Sequence, residues 1–352
     1  MTCGRPATRH GRYGSETGRW TLVPVRALVT GGRGFVGAWV CKQLLERGDS
    51  VVSFDRGARE GRHSALELLG VTGEVAEVAG DLLDAELVRA TLAEHDVDVV
   101  FHLAAQALVG PAAESPDSTF ETNVRGTWIV LEACREVGVG RAVVASSDKA
   151  YGAHDELPYR EDFALRPTAP YEASKAAADL LARSYWPSYG LPVAVTRFAN
   201  IYGGGDTNFS RLIPEAVSAA LDGRAPVLRS DGSPQRDFLY VEDAASAYLA
   251  IADALDRDDV RGEAFNAGGG SPHAVAEVVG LIARLAGTDV EPRILGEGNP
   301  AGETDRQYVD PTKIREVLGW EPGVGLEDGI RRTIEWYREH PEARAPAAAA
   351  AA

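Results

Sequence analysis

At 352 residues and 45% hydrophobic, the chain can bury one large core with a smaller lobe beside it. A net charge of −16 argues against nucleic acid and against anionic membrane surfaces as partners, although a local phosphate site needs only a few donors. Cys3, Cys41 and Cys134 show no paired spacing and the seven histidines are scattered, which predicts a reducing cytoplasm, no disulfide framework and no metal centre.

Residues 1–24 carry four arginines and no continuous apolar stretch, so they read as a flexible extension and not as a signal peptide. Val25–Thr30 is a short apolar run that breaks into Gly31, Gly32 and Gly34, and a helical pattern follows with Val36, Val40, Leu44 and Leu45 on one face. Further strands are expected at Val51–Asp55, Val75–Val78, Val97–Phe101 and Ala142–Ala145, separated by helical stretches. This alternation predicts an α/β fold: a Rossmann-type, doubly wound parallel sheet with helices on both faces. The dinucleotide-binding domain is expected over residues 25–200, with 237–266 interleaved. Shorter elements and more turn residues predict a substrate-binding lobe over 201–340. The alanine-rich end, residues 341–352, reads as a disordered tail. No apolar run approaches the ~18 residues that a membrane span requires.

Gly31, Gly34 and Gly37 stand in GxxGxxG spacing between a strand and a helix. Small residues there let the backbone turn sharply and approach a pyrophosphate at the helix N-terminus. Asp55 ends the second strand, where a carboxylate accepts hydrogen bonds from ribose hydroxyls and repels a 2′-phosphate. NAD is therefore expected over NADP, with Arg56 next to the acid as the opposing signal. Asp81, after the third strand, is a candidate to reach the adenine.

Only four of the 36 basic residues are lysine: Lys42, Lys149, Lys175 and Lys313. Two of these four fall in chemically suggestive places. Tyr171 and Lys175 have YxxxK spacing, which puts them on one helix face. An ammonium beside the phenol would favour its ionised form, and the phenolate could take a hydroxyl proton as hydride leaves the same carbon. Ser147, Asp148 and Lys149 follow the strand ending at Ala145, at the sheet edge where doubly wound folds place their chemistry.

Together the segments Val29–Gly37, Phe101–Gln106, Asn123–Thr127, Ser146–Gly152, Tyr171–Lys175 and Arg197–Gly203, with Asp310–Pro322, resemble the extended short-chain dehydrogenase/reductase superfamily over about residues 25–340. That superfamily includes epimerases, decarboxylases and dehydratases of nucleotide sugars. Its 4,6-dehydratases carry two ionisable residues after the serine, and Asp148-Lys149 resembles the pair of the CDP-glucose 4,6-dehydratases. His102–Gln106, Gly203–Asp206 and Arg211–Pro214 resemble the same enzymes, whereas Arg236–Val241 and Tyr151-Gly152 follow the general epimerase form.

The resemblance implies NAD contacts from Phe35, Val36, Leu82, Leu103, Ala104, Ala105, Asn123 and Phe198, besides the glycines, Asp55, Asp81, Tyr171 and Lys175. It implies a nucleotide-sugar substrate held by Gln106, Ser147, Asn200, Arg211, Leu212, Arg236 and Arg306, arginine's planar fork suiting diphosphate oxygens. It further implies a homodimer through helices around residues 118–137 and 172–188. The expected reaction is a 4,6-dehydration with Tyr171 as oxidation base, Lys149 removing the C5 proton and Asp148 protonating the departing 6-hydroxyl. A UDP-sugar 4-epimerase or decarboxylase on the same fold, and a non-catalytic NAD-sensing protein, are the alternatives.

Overall fold

A computed structural model describes residues 24–57, 63–296 and 304–344. The expected extension over residues 1–24 lies outside these except for Pro24, and the expected tail lies outside them beyond Arg344. Where the tail was expected to begin, Pro341–Ala343 instead forms a 3-10 turn, with Ala343 buried and Arg344 ion-paired to Asp222 at 3.2 Å.

Seven parallel strands form the central sheet: β1 (Arg26–Thr30), β2 (Ser50–Asp55), β3 (Ala76–Ala79), β4 (Val99–His102), β5 (Arg141–Ala145), β6 (Val193–Phe198) and β7 (Ala264–Ala267). Their spatial order is β7-β6-β5-β4-β1-β2-β3, so the winding reverses between β1 and β4. A crevice at such a reversal, outside the strands' carboxyl ends, is where doubly wound sheets take ligands. The strand sequences show why they pair this way. β6 reads Val-Ala-Val-Thr-Arg-Phe and is buried at every residue, as a strand covered on both faces must be. β3 reads Ala-Glu-Val-Ala, lies at the edge and is mostly exposed, its glutamate blunting that edge.

Strands β1 to β5 sit within a residue or two of the expected ones, the usual uncertainty of element ends, whereas β6 and β7 were not among the strands expected. Between β6 and β7 the chain leaves the sheet and returns. The helix Val241–Asp253 packs its apolar face into the same core as β1 and β4, and β7 then pairs with β6. A separate apolar cluster joins the helices Leu212–Leu221, Val275–Ala286 and Leu326–Glu339 with Leu228, Phe238 and Tyr240. Two-residue strands bridge this region: Gln235–Arg236 pairs with both His273–Ala274 and Arg306–Gln307. No helix among the described residues is long and apolar enough to cross a membrane.

One buried ion pair ties the sheet to the turn that follows β5. The Arg197 guanidinium, 1% exposed, donates to both Asp179 carboxylate oxygens at 2.8 and 2.9 Å and to the Tyr151 hydroxyl at 3.1 Å. Tyr151 donates onward to Asn266 of β7 at 2.8 Å. Removing one member of such a pair strands a charge in the interior, so the arrangement holds β6, β7, the helix Pro170–Tyr189 and the turn in fixed relation.

Candidate active site

The glycine turn after β1 is shaped by contacts no side chain could tolerate. Gly31 has φ +74°, and a Cβ there would lie 2.8 Å from the Ala104 nitrogen; on Gly37 it would lie 2.2 Å from the Gly31 carbonyl oxygen. The loops after β1 and β4 therefore touch through bare backbone. The helix Phe35–Arg47 starts from this turn with Gly34 as its N-cap, no side chain capping it and no acid in its first turn. Its first residues, Phe35, Val36 and Gly37, thus present a positive helix end to the crevice, a cradle that fits a pyrophosphate. Asp55 closes β2 beside it, accepting from the Arg33 amide at 3.3 Å and the Arg56 amide at 2.7 Å. Arg33 is held away by ion pairs to Glu67 and Glu77, and the Arg56 side chain is exposed. These residues fit an adenosine ribose with free hydroxyls.

Asp81 is exposed just after β3 and accepts from the Leu83 amide at 2.9 Å, while Leu82 is buried under Gly126. Leu103, Ala104 and Ala105 follow β4 half-buried at the crevice mouth, with the Ala104 amide donating to Thr30 at 3.2 Å. Three side chains expected at cofactor or substrate are engaged elsewhere. The Asn123 amide accepts from the Gln106 N–H at 2.7 Å and donates to the Gln106 carbonyl at 2.9 Å and to Ser174 at 2.8 Å. It pins the β4 loop to the Pro170–Tyr189 helix. Gln106 folds its own amide onto Leu108, at 2.7 and 3.1 Å. The Phe198 ring packs in the core against Tyr248, centroids 5.0 Å apart.

After β5, Ser147 caps the one-turn helix Asp148–Tyr151 by accepting from the Lys149 amide at 3.2 Å, and its hydroxyl donates to Asp148 at 3.1 Å. Asp148 is 3% exposed, and its second carboxylate oxygen has no hydrogen-bond partner among the described residues. Burial holds its carboxyl above the usual range against the opposing pull of Lys149, Ser147 and Arg236. The Lys149 ammonium reaches the Gln307 side-chain oxygen at 3.3 Å. Tyr171 lies one helical step in from Pro170 and is also buried; burial raises its phenol, while hydrogen bonding to Ser147 and the charge of Arg211 lower it.

The ammonium of Lys175 is bonded to the main chain of β5. Lys175 donates to the Ala145 carbonyl at 2.8 Å, and burial alone brings its ammonium down to about 8. The positive charge that favours the ionised Tyr171 phenol comes from Arg211, itself paired with Asp206 at 2.9 Å. Spacing i, i+4 brings two Cβ atoms together, but a four-carbon stem can turn elsewhere, here to the carbonyl of the last residue of β5.

The remaining expected residues divide. Arg236 is buried behind Asp148 and lowers its proton affinity, donating besides to the Gln235 carbonyl at 3.0 Å. Asn200 donates to the Asp237 carbonyl at 3.0 Å, joining the strand after β6 to Phe238–Tyr240. Leu212 packs half-buried in the helical cluster. Arg306 is exposed, bonded to Gln235 at 3.1 Å and Tyr308 at 3.2 Å.

Two residues here were not anticipated. Gln307, beside Arg306, is 3% exposed and faces Lys149. Asp237, beside Arg236, is 1% exposed; one oxygen accepts from the Gly269 amide at 2.8 Å and the other has no hydrogen-bond partner among the described residues. Burial, with a further push from Asp148, takes Asp237 up to about 7. A carboxyl raised in the fold favours the folded state fully below its unfolded value near 3.9, and that contribution is lost as pH rises through about 7. Wild-type melting temperature is accordingly expected to fall from about pH 4 to pH 7 and level off above, a total loss on the order of a few kcal/mol. In Asp237→Asn that fall is expected to flatten, which thermal melts across pH 5–8.5 will read.

The winding reversal, the glycine cradle and a Ser-Tyr-Lys set on a neighbouring strand end and helix define an enzyme of the extended short-chain dehydrogenase/reductase type. A family profile described as GDP-mannose 4,6 dehydratase matches residues 28–333. Over 329 residues the chain is 35% identical to a dTDP-glucose 4,6-dehydratase of Xanthomonas campestris, covering 88% of this chain and 92% of that one. It is 32% identical to an Arabidopsis thaliana trifunctional UDP-glucose 4,6-dehydratase/epimerase/reductase, covering 92% of this chain but only 48% of that protein's length. Among solved structures, dTDP-glucose 4,6-dehydratase of Streptomyces venezuelae, with NAD bound, superposes with a TM-score of 0.82 at 35% identity, covering 91% and 99% of the two chains. UDP-glucose 4-epimerase of Thermotoga maritima, with UDP-glucose, gives 0.82 at 29% identity, covering 90% and 99%. The chain belongs to the GDP-mannose 4,6-dehydratase family of NAD-dependent epimerases and dehydratases.

Proposed function

We propose that this protein is an NAD-dependent nucleoside-diphosphate-hexose 4,6-dehydratase. The observation that carries this reading is Asp148-Lys149 on the turn after β5, with Asp148 buried and hydrogen-bonded to Ser147, and with Ser147 lowering the proton affinity of the Tyr171 phenol. Bound NAD would take the hydride from C4 and give it back at C6. Tyr171 takes the 4-hydroxyl proton, with Ser147 hydrogen-bonded to the same oxygen. Once C4 is a ketone, the C5 proton is acidic, and Lys149 removes it. Asp148, whose burial favours its protonated form, gives that proton to the 6-hydroxyl; the C6–O bond breaks and water leaves. Lys149 returns its proton to C5, and proton exchange from Tyr171 to Asp148 resets the site.

For the cofactor, the bare backbone at Gly31, Gly34 and Gly37 and the carboxylate of Asp55 support NAD. Gly37→Ala would force the turn open, since both clashing groups are backbone. Overpacking of about 1–3 kcal/mol predicts NAD affinity roughly 5- to 150-fold weaker by calorimetric titration. On the substrate side, Arg211 and Arg236 are proposed to meet the diphosphate, with Asn200, Gln106, Leu212 and the exposed Arg306 lining its approach. The Asp-Lys pair favours CDP-glucose as substrate, while the named relatives act on dTDP- and UDP-glucose. Incubation with CDP-, dTDP-, UDP- and GDP-hexoses, followed by mass, tests reaction and nucleotide together: loss of water supports dehydration, and an isomer of unchanged mass supports the epimerase reading instead.

We also propose a homodimer. Phe120 and Trp128 along residues 116–137, and Leu180 and Tyr189 on the Pro170–Tyr189 helix, leave large apolar side chains exposed at 39–60%. Such a face is covered economically by its own copy about a two-fold axis, and sedimentation will show the mass.

A further inference from the structure

Lys149 is the residue on which the elimination depends, and its hydrogen-bond partner is not an acid. The ammonium meets the side-chain oxygen of Gln307 at 3.3 Å. Gln307 is 3% exposed and belongs to the two-residue strand Arg306–Gln307, which pairs with Gln235–Arg236 in a register that sets Gln307 opposite Arg236. Its carbonyl accepts from the Asp237 amide at 3.2 Å, so both main chain and neighbours hold the side chain in place. Strand alternation turns the adjacent Arg306 outward to Gln235 and Tyr308.

We propose that Gln307 is a positioning residue for Lys149: its neutral amide aims the amine at C5 without adding a negative charge that would hold the ammonium's proton. The inference rests on the dehydratase reading above. The charged and titratable groups around the lysine fit it. Asp148 stands next to Lys149 on the same turn, and Arg236 acts on Asp148 from the paired strand. Asp237 on the connecting residue and Tyr159 also couple to Asp148, and Tyr171 faces it from the long helix. A second carboxylate at position 307 would oppose Asp148 and trap Lys149 as a cation. An apolar residue would leave the amine without its guide. A flexible ammonium needs such a guide, because a displacement of about 1 Å at a reacting group can cost ~100-fold.

The test uses full-length wild type, Gln307→Met and Gln307→Glu with NAD and a nucleotide hexose that wild type dehydrates. Single turnovers are followed by the 340 nm absorbance of reduced nicotinamide and by product mass, over a range of pH. In Gln307→Met, the 340 nm rise is expected to keep its wild-type rate while water loss slows roughly 10- to 100-fold, so that the absorbance persists. In Gln307→Glu, the acid limb of the pH–rate profile for water loss is expected to move up by about one unit, with recovery at high pH. A purely structural residue would slow both steps together and leave the limb in place. Wild-type partition and profile in both variants, equal loss of both steps in both, or failure of both to fold overturns the proposal. Wild type that releases no water from any nucleotide hexose defeats the dehydratase reading itself, whatever the variants do.

Discussion

Tyr171→Phe is expected to reduce turnover by roughly 10²–10⁴-fold, the range that general-base assistance contributes, while the fold is kept. The phenol is buried, and Ser147 and the positive charge of Arg211 both favour its ionised form. Phenylalanine keeps the ring and its packing and removes only the proton acceptor. The first step is the one affected: no ketone forms at C4, so neither reduced nicotinamide nor product should appear, and melting temperature should stay within a few degrees. Because burial raises the phenol, ionisation must be drawn from the Ser147 bond and from Arg211, and wild-type oxidation is expected to quicken as pH rises. Stopped-flow absorbance at 340 nm reads this directly. An unimpaired 340 nm rise in Tyr171→Phe would remove the tyrosine from its role.

Lys149→Met and Asp148→Asn are expected to fail one step later. Tyr171 and Ser147 remain, so oxidation at C4 proceeds and the 340 nm absorbance rises, but water loss falls by about 10²–10⁴-fold. The two variants should differ in exchange chemistry. Without Lys149, the C5 proton should not exchange with solvent deuterium. In Asp148→Asn the base is present, so exchange at C5 continues while the 6-hydroxyl stays on the sugar. The asparagine also relieves the cost of a buried carboxyl, which burial already pushes upward, so this variant should be no less stable than wild type at pH 8. Rapid-quench mass measurements in deuterium oxide separate these outcomes.

The two halves of the site differ in how far the sequence shows them. The cofactor cradle is legible because it is made of backbone: Gly31 and Gly37 are required by contacts under 3 Å, and only glycine satisfies them. The strand pattern is legible because buried parallel strands such as β4, expected at Val97–Phe101 and found at Val99–His102, are short apolar runs. Side-chain direction is not. The spacing of Tyr171 and Lys175 places their Cβ atoms on one face, yet the ammonium bonds to the Ala145 carbonyl, and the positive charge that lowers the phenol's proton affinity is that of Arg211. Asn123 shows the same limit: its motif is apparent, but its amide is consumed in holding Gln106 and Ser174. Gln307 and Asp237 escaped notice for a further reason. Each sits next to an arginine that draws attention, on or beside a two-residue strand whose pairing joins positions 71 residues apart. No local periodicity marks so short a strand, and a shift of one residue exchanges the buried face for the exposed one.

The central claim is that a hydride leaves C4 and returns to C6 of the same sugar with loss of water between. The most direct measurement is a turnover with a nucleotide hexose deuterated at C4, read by product mass and by the position of the label. The expected product has lost one water, retains the deuterium and carries it at C6. A product of unchanged mass with the label still at C4 would contradict the account and mark the protein as an epimerase.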